Sequence, residues 1–117
     1  MTLQECYQRM GGDYAEVLAR LTKEERIAKY VVKFLEDTTY QQLCEAKETG
    51  DNEMVFLSIH TLKGVSQNLG FEKLFQASFV MTEAVRGGVR LEDESLFEAV
   101  RDAYFETISV IKEYVGK

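Results

Sequence analysis

None of the 117 residues is proline. A sheet protein of this length needs many turns, and turns recruit proline, so its absence leans towards long helices. Glycine supplies the punctuation. Gly11-Gly12, Gly50, Gly70 and Gly87-Gly88 divide the chain into segments whose apolar residues recur at the 3, 4 spacing of one helical face. No strand-period segment longer than a few residues competes with that pattern.

The segments read as follows. Leu3 to Met10 forms a short helix closed by Gly11-Gly12, and Asp13 caps a second from Tyr14 to Leu21. Thr22 is the expected cap of the next, with Glu25 at capping-box spacing and Ile27, Tyr30, Val31, Phe34 and Leu35 along one face. Asp37, Thr38 and Thr39 interrupt it, and Tyr40 to Glu48 is helical again. Gly50 ends that element, Asp51 caps a helix from about Asn52 to Leu69, and Gly70 ends it in turn.

Phe71 to Arg86 follows, carrying Leu74, Phe75, Ala77, Val80, Met81, Ala84 and Val85 and ending at Gly87-Gly88. The last helix runs from about Glu92 to Val115, with Glu92, Asp93 and Glu94 at its positive end and Lys112 near its negative end. Short connections make neighbouring helices antiparallel. The expected fold is all-α: an antiparallel up-and-down four-helix bundle with short additional N-terminal helices, in one domain over residues 1–117.

Charge and composition exclude several functions. Hydrophobic residues make up 45% and charged residues 29%, as in a folded globular chain rather than a disordered one. Acids outnumber bases 20 to 14, a net charge of −6. Nucleic-acid binding and docking on anionic lipid both need the opposite balance. No apolar run is long enough to span a bilayer, and the start MTLQECYQRMGG lacks the basic and apolar regions of a signal peptide. Two distant cysteines, Cys6 and Cys44, fit reduced thiols in a cytoplasmic protein.

The single histidine is His60, in the middle of a helix. A lone histidine in an apolar neighbourhood is as often a satisfied core residue as a functional one. The helical wheel, at roughly 100° per residue, separates the two readings. Ile59, Leu62, Val65, Leu69, Val55 and Met54 fall between roughly 120° and 260° from His60, so the imidazole points away from the core. Lys63 and Gly64 follow one turn later on the same side. Glycine inside a helix costs about 1 kcal/mol relative to alanine, and the benefit that fits is clearance for a partner approaching the ring. A neutral imidazole attacking phosphorus, with Lys63 offsetting the new negative charge, is the chemistry these groups suit. Phe56 and Leu57 lie on that face one turn before, and Gln67 two turns after, as candidate partner contacts.

The run His60-Thr61-Leu62-Lys63-Gly64-Val65-Ser66-Gln67-Asn68-Leu69-Gly70 resembles the signature of histidine-containing phosphotransfer (HPt) domains. The Gly12-Asp13-Tyr14 start, the Phe34-Leu35-Glu36-Asp37 helix end and the Gly50-Asp51 cap resemble the family as well. The resemblance implies a carrier in a two-component phosphorelay. It would take a phosphoryl group from a receiver-domain aspartate, or from a histidine kinase, and pass it to a response-regulator aspartate. It also implies that His60 is phosphorylated, that Lys63 stabilises the phosphoryl group and that Gly64 gives access. Mg²⁺ would then belong to the receiver partner, with no intrinsic cofactor, and the carrier would be a monomer. Val65, Ser66 and Gln67 stand where many members carry only small residues. Val65 falls on the core side, whereas Gln67 either bonds a phosphoryl oxygen or is solvated.

Other chemistries find little support. The glycine pairs match no phosphate-cradling fingerprint, so an ATP-using enzyme is not expected. One histidine and two distant cysteines give no zinc spacing. Glu24-Glu25 and Glu92-Asp93-Glu94 are helix-start charges rather than acid–base pairs. The rival reading is a non-catalytic helical adaptor that docks receiver domains without phosphotransfer, and the joint presence of His60, Lys63 and Gly64 speaks against it.

Overall fold

A computed structural model describes residues 1–116. Helix α1, Leu3–Met10, begins at a capping box: the Glu5 amide donates to Thr2 Oγ1 at 3.1 Å and the Thr2 amide donates to Glu5 Oε1 at 2.8 Å. It ends at Gly11, whose φ of 67° is left-handed. Asp13 accepts from the Glu16 amide and opens α2, Tyr14–Leu21. Helix α3, Glu24–Lys33, runs into a 3-10 turn, Phe34–Glu36. Asp37 then accepts from the Thr39 amide at the start of α4, Thr39–Thr49.

Left-handed Gly50 ends α4, and Asp51 accepts from the Met54 amide to open α5, Asn52–Asn68. Helices α6, Glu72–Ala84, and α7, Glu94–Gly116, complete the chain. Asp93 accepts from the Ser95 amide just before α7.

Thr22 departs from the expected role. It does not cap α3, which starts after Lys23 with no side-chain cap. Thr22 instead closes α2 in a left-handed conformation, φ 66°, and its hydroxyl donates to the Leu21 carbonyl. The chain must reverse between two short helices here, and that geometry takes precedence over the Thr-x-x-Glu spacing.

Helices α4 to α7 form the bundle, each packed on the next in sequence. Side chains close it between α4 and α7. Tyr40 stacks on Tyr104 with ring centroids 4.1 Å apart, and Lys47 pairs with Glu94 at 2.5 Å. Phe34 and Phe71 meet edge to face at 5.2 Å, joining the 3-10 turn to the start of α6. Between α5 and α6 the buried faces carry Ser58, Ser66, Ser78 and Thr82 alongside Ile59, Leu62, Leu74 and Met81. The hydroxyls of Ser66 and Thr82 return to carbonyls of their own helices at 2.7 Å. Tyr30, Val80 and Ala84, apolar residues of their segments, are exposed, because the apolar residues of α3 and α6 spread wider than the stripe that faces the bundle.

The N-terminal helices fasten one end of the bundle, where α5 and α7 finish. Arg9 of α1 makes a two-pronged contact with Glu113 of α7, at 2.7 and 3.2 Å. The Tyr7 hydroxyl donates to the Leu69 carbonyl, and the Asp13 amide donates to the Gly70 carbonyl at 2.9 Å. Arg20 of α2 donates to the carbonyls of Gln67 and Asn68. The last carbonyls of α5, which have no partner inside their own helix, are therefore satisfied from α1 and α2. Among the described residues no helix is long and apolar enough to cross a membrane.

Candidate functional site

The buried face of α5 consists of Val55, Ser58, Ile59, Leu62 and Ser66, and it fixes what the opposite face presents. His60 follows Ile59 by one residue and is exposed, as the wheel places it. Among the described residues neither imidazole nitrogen has a hydrogen-bond partner. The ring is oriented by stacking instead: Phe56, one turn earlier, lies 5.6 Å from it at an interplanar angle of 21°. Phe56 is half-buried and leans on the core, so it gives the imidazole a fixed apolar floor. A ring held this way keeps both nitrogens free for chemistry with an outside group.

Gly64 stands one turn beyond His60. A Cβ built there would meet no atom within 4 Å. Nothing inside the molecule demands glycine there, so packing does not account for its unfavourable helix propensity. Gly70 gives the contrast: its φ is 69°, and a Cβ would fall 2.0 Å from Val17 Cγ2. Packing requires glycine at position 70 and leaves position 64 open.

Lys63 is partly buried at the α5–α6 edge, and its ammonium makes no hydrogen bond or ion pair among the described residues. It lies 5.7 Å from the centroid of the Phe79 ring on α6. Glu83 is close enough for the Lys63 charge to help lower its carboxyl below the usual range, after the larger effect of its hydrogen bond from Arg86. Arg86 binds that carboxylate and lies 6.0 Å from the Phe56 ring.

Leu57 is 52% exposed beside His60, and Gln67 is exposed two turns further on. Gln67 offers its side chain to solvent while its backbone carbonyl takes Arg20. Glu53, Phe56, Leu57, Gly87 and Gly88 line a shallow groove of about 340 Å³ next to the imidazole. All six residues singled out from the sequence therefore lie along one face of α5. Sequence reasoning missed the contribution of α6, where Phe79 and Val80 are 43% and 48% exposed, and of the Glu83–Arg86 pair that straddles its end. A wheel of α6 centred on Leu74, Ser78 and Met81 puts Phe79 outside the buried stripe, which was the available signal.

The family model of the Hpt domain matches residues 29–109. That span runs from α3 into α7, contains the whole His60 face, and leaves α1 and α2 outside. The chain belongs to the Hpt domain family. Membership makes it a phosphotransfer domain of the phosphorelay type, a class of carriers with no nucleotide site. Neither the comparison with curated proteins nor that with solved structures gave a match.

Proposed function

We propose that the protein carries a phosphoryl group on His60 between the aspartates of two receiver domains, a histidine kinase being the other possible donor. The observation that carries this reading is the exposed, hydrogen-bond-free imidazole with open space over Gly64 and an unpaired ammonium one turn away. In the accepting step a ring nitrogen lone pair attacks the phosphorus of the donor's acyl phosphate. The N–P bond forms, the P–O bond to the aspartyl carboxylate breaks, and that carboxylate leaves. The donating step is the reverse, with the regulator's aspartate as nucleophile.

Lys63 offsets the phosphoryl charge, and Gly64 lets the receiver's phosphorylated loop reach the ring. Phe56, Leu57 and Gln67 contact the receiver around it. Mg²⁺ is held by the receiver and the carrier contributes no metal ligand. The carrier works as a monomer in the cytoplasm, a reading supported by its membership of the Hpt family.

The test is transfer from a labelled receiver domain to the wild type and to His60→Gln. Acid-labile, alkali-stable label on the wild type alone supports the carrier. Binding of receivers without label on either protein supports the docking adaptor and overturns it.

A further inference from the structure

The Lys63 ammonium sits between two unlike neighbours on α6. One is the face of Phe79, at 5.7 Å from ring centroid to Nζ. The other is Glu83, one turn beyond Phe79 on the same side of α6, where the Lys63 charge acts on it. A carboxylate would normally capture such a cation, neutralise it and occupy its N–H donors. Here the Glu83 carboxylate is already taken by the guanidinium of Arg86, just past the end of α6. Arg86 is in turn placed against the Phe56 ring.

An aromatic face attracts a cation through its quadrupole without accepting its hydrogen bonds or cancelling its charge. A lysine resting on a ring is thus localised while all three N–H donors remain available to phosphoryl oxygens. Phe79 is itself steadied by Phe75 one turn earlier, with ring centroids 6.0 Å apart. We infer that Phe79 is a positioning residue for Lys63, and that Arg86, by occupying Glu83, keeps the ammonium unpaired for the phosphoryl group. This rests on the reading of His60 as the phosphoryl acceptor.

The test uses the isolated protein and phosphoramidate, so that no receiver surface enters the measurement. A ring nitrogen of His60 attacks phosphorus, the donor's P–N bond breaks and ammonia leaves; ³¹P NMR follows the phosphohistidine. Phe79→Leu keeps apolar bulk but loses the ring, and is expected to slow labelling about two- to fivefold, the worth of an exposed cation–π pair. Phe79→Trp restores the wild-type rate. In a Lys63→Ala background Phe79→Leu changes nothing further, which a merely structural role for the ring would not produce.

Arg86→Ala frees Glu83 to pair with Lys63 and slows labelling too, and adding Glu83→Gln to it recovers the rate. Equal rates for wild type and Phe79→Leu, or a full additional loss in the Lys63→Ala background, overturn this inference while the carrier reading stands. Undiminished label on His60→Gln overturns the carrier reading itself, and this inference with it.

Discussion

The hydroxyl of Tyr7 donates to the carbonyl of Leu69 at 2.6 Å, joining residues 62 positions apart in sequence. It reaches the end of the helix that carries His60, from a helix outside the matched span. Tyr7→Phe keeps the buried ring and removes only that donor. It is expected to lower stability by about 1 kcal/mol, read as a lower urea midpoint with an unchanged slope. Amide exchange at Gly70 and Phe71 should quicken in the same variant, and an unaltered midpoint would show that the bond contributes nothing.

Two left-handed glycines separate a steric demand from a conformational one. Gly50 has a φ of 72° with nothing within 4 Å of an added Cβ, whereas at Gly70 the Cβ would overlap Val17. Gly50→Ala should therefore cost about 1 kcal/mol, the ordinary penalty of a left-handed alanine. Gly70→Ala should lose at least about 2 kcal/mol more, since α2 must be displaced from the end of α5. Thermal unfolding of the two variants side by side checks the order.

Gly64→Ala should split stability from function. Open space surrounds the new methyl, and alanine is the better helix former, so the variant should be more stable by about 0.5–1 kcal/mol. The same methyl stands where a receiver's loop must pass, so phosphoryl transfer from a receiver should fall by about tenfold or more. A variant that is stabilised and transfers at the wild-type rate removes the access role assigned to this glycine.

Alkaline pH should loosen the N-terminal packing first. Burial pushes the Cys6 thiol up to about 11, against a small opposing effect of Arg9. Between the ordinary thiol value and that point the unfolded chain loses its proton while the folded one keeps it. Stability then falls as pH rises through the window, because the unfolded state binds fewer protons. Burial raises the phenols of Tyr7, Tyr40 and Tyr104 too, so the same sign continues above it. Urea midpoints measured from pH 8 to 11 should decline steadily, and Cys6→Ala should flatten the first part of the decline.

The sequence makes the helix boundaries legible where one residue fixes them. Asp13, Asp51, Gly50 and Gly70 act through their own backbone neighbourhood, and each stands where the pattern puts it. Thr22 misleads because its capping spacing is local while the reversal between α2 and α3 is set by packing. The exposed face of His60 is legible because the apolar residues of α5 form a single stripe. Its surroundings are not, since Phe79 and Glu83 arrive from another helix and Arg86 from the turn after it, and their register depends on how α6 sits against α5. Ser58 and Ser78 carry no periodic signal, and both hydroxyls lie buried without a hydrogen-bond partner among the described residues.

The attachment of α1 to α7 sets an order on assembly. Each bundle helix packs on the one before it, so most of the bundle can zip up from contacts near in sequence. Arg9 cannot meet Glu113 until α7 has been made, although α1 is synthesised long before. Until then α1 lacks its contact with α7, although Tyr7 can already meet Tyr14, Leu69 and Phe71. The contact joins the earliest segment of the chain to the latest, so the packing around the core that holds the histidine helix is complete only once the last helix has been made.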